Sequence, residues 1–348
     1  MTAAADAPVR VVVVDDSPTV RAVLRRMLSR DPGLEVVGEA ADGLQGVQMV
    51  AEQRPDVVVM DLEMPGLDGF AAIQQITEHN PVPILVLSSR ARVGGRRTVF
   101  EAIAAGAVEV LAKPESPDAW GNLTSSLPET LRGLVRPHGE RRDGRAAAAD
   151  VAPAPRPAVR PQVLAVGAST GGPQALQLLL ERLRSAPLAI LVVQHIAPEF
   201  QGGLADWLRE VGGLDVRLAQ QGERPPSGAV RLAPQGAHLR LRADGTLQLD
   251  PTTPPRFGHR PAVDELFHSC ARLGARAAGV LLSGMGRDGA EGLLAMRRAG
   301  GVTLAQDEAT SVVYGMPRVA LETGAAERAL PPAALGDYLA ELSRGCAR

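Results

Sequence analysis

Apolar residues along this chain fall mainly into short continuous runs, separated by stretches in which they recur every three or four positions. In the first third, the runs VRVVVVD, LEVVGEA, DVVVMD, PILVLSS and EVLAK alternate with helical patterns such as VRAVLRRMLSR and GFAAIQQITE. Continuous apolar strands are typical of parallel sheets that are covered by helices on both faces. The pattern therefore predicts five β–α units in a flavodoxin-like, doubly wound α/β domain.

The same alternation returns in the second half of the chain. VLAVGAS, LAILVVQH, AGVLLSG and GVTLAQD predict strands, and PQALQLLLERL and AEGLLAMRRAGG predict helices. The stretch HLRLRADGTLQLD differs, because alternating residues flank Asp244 and Gly245, a pair that favours a tight hairpin turn. We therefore predict a second α/β domain with a mostly parallel sheet and one antiparallel hairpin.

Residues 132–160 have no apolar periodicity and are rich in arginine, alanine and proline. Such a composition cannot bury enough apolar surface to fold alone, so it indicates a solvated linker. Two domains suit a chain of 348 residues. The predicted boundaries are 8–125 for the first domain, 126–160 for the linker and 161–342 for the second domain.

Composition narrows the classes of function. With 37 Lys and Arg against 39 Asp and Glu, the chain offers no general electrostatic attraction to nucleic acid or to an anionic membrane. Two cysteines are too few for a disulfide framework or a thiolate metal cage. The N-terminus shows no signal-peptide pattern, and no apolar run reaches membrane-spanning length. We therefore expect a cytoplasmic protein without direct membrane insertion.

Polar residues follow four predicted strands of the first domain. They are Asp15 and Asp16, Asp61, Ser88, and Lys113, which is the only lysine in the chain. Because the carboxyl ends of parallel strands meet at one edge, these side chains are expected to lie together. Crowded carboxylates favour Mg²⁺, and a metal with an ammonium group can neutralise a phosphoryl group. An aspartate after a strand is also a common helix N-cap, an alternative that is open for Asp16.

The stretches VVVVDDSPTVR, VVVMDLEMPGLDGF, VLSS and VLAKP resemble response-regulator receiver domains. The resemblance implies that a partner histidine kinase phosphorylates Asp61. It assigns Mg²⁺ to Asp15, Asp16, Asp61 and the backbone carbonyl of Glu63, and the phosphoryl oxygens to Ser88 and Lys113. Many receivers have an aromatic switch residue where this chain has Val110. Signalling through an aromatic rotamer is therefore not implied here.

The second domain contains a serine in a G-x-S-x-G pattern, Gly167 to Gly171, between a predicted strand and a predicted helix. This pattern is typical of a nucleophile on a sharp turn, with helix N–H groups available for an oxyanion. A glycine-rich nucleotide loop is the alternative, although the G-x-G-x-x-G spacing is missing. His195 ends an apolar strand run and is the candidate base for Ser169, or else a satisfied polar residue at a strand end.

A histidine base needs a carboxylate that orients it, and Asp288 follows another predicted strand. The spacing of Asp288 and Glu291 also suits a helix capping box. Asp264 and Asp307 are competing candidates for the orienting acid. On these residues alone, the second domain is a plausible serine hydrolase.

The stretches GASTGGPQAL, VVQHIAPEF, HRPAVDELFHS, LLSGMGRDGAEGLLAM and AQDEATSVVYGMPRVA resemble the catalytic domain of chemotaxis-type protein-glutamate methylesterases. The resemblance implies that Ser169 is the nucleophile, His195 the general base and acid, and Asp288 the orienting acid. It places the Met285 N–H in the oxyanion hole and Thr170 beside the nucleophile. His259 is implied as a substrate contact. The family's T-G-M-G appears here as S-G-M-G from residue 283, which preserves the backbone role.

The resemblance implies hydrolysis of γ-glutamyl methyl esters on methyl-accepting chemotaxis receptors, with methanol released through an acyl-enzyme, and deamidation of particular receptor glutamines. The esterase chemistry is expected to need no cofactor. We expect the unphosphorylated receiver to pack over the Ser169 edge, and phosphorylation of Asp61 to weaken that contact. A DNA-binding regulator, a nicotinamide-dependent oxidoreductase and a non-catalytic adaptor are the rival classes.

Overall fold

The computed structural model of this chain describes residues 7–89, 92–93, 97–114, 120–135 and 159–345. Inter-residue contacts divide the chain into two units, residues 1–136 and 137–348. Most of the predicted linker, residues 136–158, lies outside the described residues. No helix among the described residues is long and apolar enough to cross a membrane.

The first unit is a parallel sheet flanked by helices. Its elements are β1 Val9–Val14, α1 Pro18–Leu28, β2 Leu34–Ala40, α2 Gly43–Gln53, β3 Val57–Met60, α3 Gly69–His79, β4 Ile84–Ser88, β5 Arg92–Val93, β6 Arg97–Thr98, α4 Glu101–Ala104, β7 Glu109–Ala112 and α5 Trp120–Val135. Five parallel strands lie in the order β2-β1-β3-β4-β7. The predicted flavodoxin-like fold is confirmed. Its strand order reverses between β1 and β3, where ligands of such sheets bind.

Two segments of the first unit differ from the sequence pattern. The run RTVFEAIAAG predicts one helix over 97–106, but α4 covers only Glu101–Ala104 and β6 precedes it. No side chain caps the start of α4. Helix α5 continues to Val135 although Pro128 lies inside it, beyond the domain boundary predicted at residue 125.

The second unit is also built on a parallel sheet. Its elements are β8 Val163–Ala168, α6 Gly172–Arg182, β9 Ala189–Gln194, α7 Gln201–Gly212, β10 Asp215–Leu218, β11 Ala229–Leu232, β12 His238–Leu241, β13 Leu247–Asp250, α8 Val263–Ala271, β14 Ala277–Leu281, α9 Ala290–Arg298, β15 Val302–Gln306, α10 Met316–Glu322, β16 Arg328–Leu330 and α11 Pro332–Arg344. Seven strands lie in the order β10-β11-β9-β8-β14-β15-β16, and all the pairings are parallel. Strands β12 and β13 form the predicted antiparallel hairpin.

The chain order explains where a site can form in the second sheet. The chain builds β9 to β11 on one side of β8 and β14 to β16 on the other. The loops after β8 and β14 therefore separate and leave a crevice at the carboxyl ends of these strands. Ser169 follows β8, His195 follows β9 and Asp288 lies in the loop after β14. The topology thus brings all three predicted triad residues to one edge.

Candidate functional site

Ser169 and His195 lie at the ends of neighbouring strands. Ala168 and Gln194, the last residues of β8 and β9, are paired with each other, and Ser169 and His195 directly follow them. The backbone N–H of His195 donates to the carbonyl of Ala168 at 2.9 Å. After Ser169, the chain turns through Gly171, whose φ of 73° suits glycine, and α6 begins at once. The strand, turn and helix predicted around the serine are present.

His195 and Asp288 form a buried hydrogen-bonded pair. Nε2 of His195 lies 3.0 Å from Oδ2 of Asp288, and the two side chains are 8% and 2% exposed. The same carboxylate accepts the backbone N–H groups of Val263, at 2.7 Å, and Asp264, at 3.0 Å. Burial alone would raise the pKa of Asp288, but these bonds and the charge of His195 outweigh it and lower that pKa. Asp288 is therefore a carboxylate at neutral pH.

The other ring nitrogen of His195 is buried without a hydrogen-bond partner in the part of the chain that the structure describes. With Nε2–H donated to Asp288, Nδ1 carries the free lone pair. An imidazole in this tautomer can accept a proton from a neighbouring hydroxyl. The carboxylate thus fixes which nitrogen is left for Ser169.

The capping-box interpretation of Asp288 and Glu291 is wrong. The N-cap of α9 is Gly289, with φ of 95°, and no side chain of the cap residue bonds the helix. Asp288 instead binds the first N–H groups of α8, whereas Asp264, in the first turn of α8, accepts the N–H of Gly292 in α9 at 2.7 Å. Asp288, just before α9, therefore binds the free N–H groups at the start of α8. Asp264, in α8, binds an N–H group in the first turn of α9.

Neither competing aspartate binds His195. Asp264 is fully buried and its second oxygen accepts from Nε of Arg256 at 3.1 Å. Asp307 accepts hydrogen bonds from the backbone and hydroxyl of Thr310 in its own turn. Asp288 is the carboxylate that the described structure brings to the histidine.

The backbone N–H groups of Thr170 and Met285, both near Ser169, have no acceptor among the described residues. The loop after β14 approaches the nucleophile closely, because a Cβ on Gly284 would lie 2.7 Å from Cβ of Ser169. The Ser283 hydroxyl donates to the carbonyl of Thr170 at 2.7 Å and so ties the two loops together. Free N–H groups on either side of a nucleophile can stabilise an oxyanion.

The sequence did not indicate the role of Gln194. This side chain is 4% exposed, and its Nε2 donates to the carbonyls of Ser169, at 2.8 Å, and His195, at 3.0 Å. Its Oε1 packs so closely against Gly172 that no Cβ fits there. Gln194 therefore clamps the nucleophile turn to the histidine. The available signal was a polar residue inside an apolar run, directly before the histidine.

His259 lies against the triad. Its ring stacks on that of His195, with centroids 3.8 Å apart and planes 7° from parallel. Burial, together with the neighbouring His195, lowers the pKa of His259 to about 4. Beside the two rings lies a cavity of about 450 Å³ that can take a substrate side chain. It is lined by His195, Ile196, Gln235, Gly236, Pro255, Gly258, His259, Arg260 and Pro261.

In the first unit, Lys113 bridges two carboxylates. Its Nζ lies 2.7 Å from Oδ2 of Asp15 and 2.8 Å from Oδ2 of Asp61. The lysine side chain is 13% exposed, and both aspartates are buried. Burial disfavours the ammonium, but the bonds to Asp15 and Asp61 outweigh it and raise the pKa of Lys113. The only lysine of the chain thus lies beside two of the carboxylates that were predicted to meet at this edge of the sheet, and these residues form an acidic pocket.

The donor set of this pocket suits a hard divalent cation. Carboxylate oxygens of Asp15, Asp16 and Asp61 lie within 4.8 Å of one another. Burial raises the pKa of Asp15, the bond from Lys113 opposes this, and the charge of Asp61 adds to it. A cation here would relieve that repulsion, and oxygen ligands suit Mg²⁺. Asp16 is free for this role, since Ser17 is the N-cap of α1 and the capping interpretation of Asp16 is wrong.

The remaining predicted residues of the pocket lie around Asp61. The N–H of Glu63 approaches Oδ1 of Asp61 at 3.4 Å. Ser88, 2% exposed, ends β4, and its carbonyl accepts the backbone N–H of Lys113 at 2.8 Å. Val110 is buried in β7. The residues expected to contact Mg²⁺ and phosphoryl oxygens are therefore neighbours, and their roles remain predictions.

Both units match known families. Residues 164–339 match the family model described as CheB methylesterase, and residues 11–122 match the response regulator receiver domain. A protein-glutamate methylesterase/protein-glutamine glutaminase of Anaeromyxobacter dehalogenans is 44% identical, covering 98% of this chain and 99% of that protein. One of Myxococcus xanthus is 42% identical, covering 95% and 93%. The crystal structure of the Thermotoga maritima CheB methylesterase catalytic domain covers 53% of this chain and 100% of that one, with 36% identity and a TM-score of 0.51.

Proposed function

Because the chain belongs to the CheB methylesterase family and carries a receiver domain, we propose that it removes methyl esters from glutamates of methyl-accepting chemotaxis receptors and deamidates specific receptor glutamines. One observation supports this most directly. His195 binds buried Asp288 through Nε2 and keeps Nδ1 free at the strand end next to Ser169. This is the arrangement that a serine esterase needs.

In the proposed acylation, Oγ of Ser169 attacks the ester carbonyl carbon while Nδ1 of His195 takes the hydroxyl proton. Asp288 stabilises the resulting imidazolium through Nε2–H. The N–H groups of Thr170 and Met285 donate to the tetrahedral oxyanion. The imidazolium then returns the proton to the leaving oxygen, methanol departs, and a glutamyl ester of Ser169 remains. No cofactor takes part.

Water completes the cycle by the same steps in reverse order. Nδ1 of His195 takes a proton from water while the water oxygen attacks the acyl carbon. The histidine then returns this proton to Oγ of Ser169 as the glutamate leaves. A glutamine amide passes through the same tetrahedral state, with ammonia as the leaving group. Gln194 and Ser283 keep the turn and the oxyanion loop in position during both reactions.

We propose that the receiver regulates this esterase through Asp61, which accepts a phosphoryl group from a chemotaxis histidine kinase. Asp15, Asp16, Asp61 and the Glu63 carbonyl would hold Mg²⁺, which neutralises charge on the phosphoryl oxygens. Lys113 and Ser88 would contact those oxygens. Their positions beside Asp61 support this assignment.

Phosphorylation is expected to raise esterase activity by about tenfold, a coupling typical of regulated proteins. The measurement is methanol release from methylated receptor membranes, with and without a small phosphodonor and Mg²⁺. Asp61→Asn is the control and should not respond to the phosphodonor. Equal rates with and without phosphodonor in the wild type would contradict the regulation and leave the esterase assignment standing.

Lys113→Arg is expected to lose most of this activation. Nζ reaches two carboxylates within 2.8 Å in a pocket that a wider, planar guanidinium cannot enter without displacing them. The measurement is the ratio of methanol release with and without phosphodonor. The unphosphorylated rate should match that of the wild type, because the triad is unchanged. Full activation of the variant would show that the position requires only a positive charge.

A further inference from the structure

An exposed phenylalanine lies at the rim of the triad cavity. Of the five phenylalanines in the chain, Phe257 is 40% exposed and the other four are buried. Phe257 and Gly258 form a two-residue turn closed by reciprocal bonds between Arg256 and His259, at 3.0 and 2.9 Å. Its φ of 51° lies in the left-handed region, which a bulky residue adopts only at a cost in free energy. The fold thus holds this ring outward in an unfavourable backbone conformation.

An arginine without an acidic partner covers the ring. The guanidinium carbon of Arg287 lies 4.5 Å from the ring centroid of Phe257. The side chain of Arg287 is exposed and forms no ion pair or hydrogen bond with the described residues. Arg256, at 5.6 Å from the same ring, is instead bound to Asp264 and Glu291. Arg287 therefore keeps its N–H groups available while its face rests on the ring.

This pair is connected directly to the catalytic residues. Arg287 precedes Asp288 in the chain, and Phe257 precedes Gly258 and His259, which line the cavity. His259 in turn stacks on His195. Phe257 and Arg287 are therefore next in the chain to residues of the triad and of the cavity beside it. Phenylalanine and arginine are both enriched at protein interfaces relative to the rest of the surface.

We propose that Phe257 and Arg287 form a docking surface for an acidic segment of the substrate protein, beside the glutamyl ester that is cleaved. Charge complementarity supports this occupant, because Arg287 presents an unpaired cation and each hydrolysis or deamidation leaves a new carboxylate on the substrate. An arginine held flat on a ring can bind a neighbouring carboxylate through two N–H groups. The inference rests on the proposed function, since it concerns the substrate of that site.

The first test is steady-state methanol release at increasing concentrations of methylated receptor. Arg287→Glu should raise KM by about tenfold at low salt, with a smaller effect at high salt, and change kcat by less than about twofold. Phe257→Gly, which suits the left-handed turn, should raise KM severalfold at every salt concentration. The control is Arg298→Glu, the same charge change at the exposed far end of α9, which should behave as the wild type.

A second test measures binding without turnover. Fluorescence anisotropy of a labelled acidic receptor segment is recorded with Ser169→Ala protein, with and without Arg287→Glu. Weaker binding after Arg287→Glu would support the docking surface whether or not the wild type releases methanol. Absence of methanol release by the wild type would refute the proposed function but not the docking surface. Replacing the acidic residues of the segment by glutamine should remove the difference between the two proteins.

Three results would overturn the docking surface. Unchanged KM in both variants and unchanged binding in Arg287→Glu would show that the surface does not contact substrate. A higher unphosphorylated rate at unchanged KM would assign the surface to the receiver of the same chain. A change of sedimentation coefficient in Arg287→Glu, at unchanged KM, would assign it to a second copy of the chain.

Discussion

Replacing Ser169 with alanine is expected to lower methanol release by at least about 10⁴-fold, because the proposed acyl bond forms at its Oγ. The fold should be unaffected. The backbone N–H of Ser169 donates to the carbonyl of Ser283 at 3.0 Å, and the carbonyl of Ser169 accepts from Nε2 of Gln194 at 2.8 Å. Neither bond involves the Ser169 side chain, so both remain in the variant. The measurement is methanol release per mole of enzyme, with thermal unfolding as the check on stability.

Ser283→Ala is the matched comparison for this prediction. Its hydroxyl donates to the carbonyl of Thr170 at 2.7 Å and accepts the N–H of Val313 at 3.0 Å. Losing both bonds in a fully buried position should lower stability by about 1–3 kcal/mol and reduce the rate far less than Ser169→Ala does. If Ser169→Ala kept more than about one hundredth of the wild-type rate, the nucleophile assignment would be wrong.

The fold was predictable because its strands are buried on both faces. In β3, β4 and β14 every residue is buried, so continuous apolar runs marked the strands, and their ends marked the functional edges. Strand β11 was not predicted from the sequence, because Arg231 interrupts its apolar run. That arginine is fully buried and paired with Asp215 and Glu223, so a charged residue occupies a core position. Such compensation depends on partners that are distant in sequence.

The candidate site was predictable as a set of residue types and less so as a set of contacts. Spacing alone left Asp288, Asp264 and Asp307 as possible partners of the histidine. Which aspartate reaches His195 depends on how α8 and α9 pack, because Asp288 binds the N–H groups at the start of α8 and Asp264 binds one at the start of α9. A local capping rule cannot foresee an exchange between two helices. The clamp by Gln194 is hidden for the same reason, since it joins residues 25 positions apart.

Asp288→Asn is expected to lower methanol release by about 10⁴-fold, the cost of the same change in serine-protease triads. The carboxylate accepts from His195 and from two backbone N–H groups, and an amide would turn a donor toward at least one of them. The variant should also be less stable at neutral pH. Folding lowers the pKa of Asp288, so its ionised form stabilises the fold above about pH 3.9, and this contribution is lost as pH falls through the folded value.

Asp264→Asn is the control, because the two aspartates are buried neighbours whose pKa values move in opposite directions. Burial and the charge of Asp288 raise the pKa of Asp264, against the bonds from Gly292 and Arg256. Its contribution is therefore present below about pH 3.9 and is lost as pH rises through the folded value. Denaturant unfolding from pH 3 to 7 should show Asp288→Asn losing stability relative to the wild type as pH rises, and Asp264→Asn gaining it. The same trend in both variants would contradict the assignment of Asp288 as the charged partner of His195.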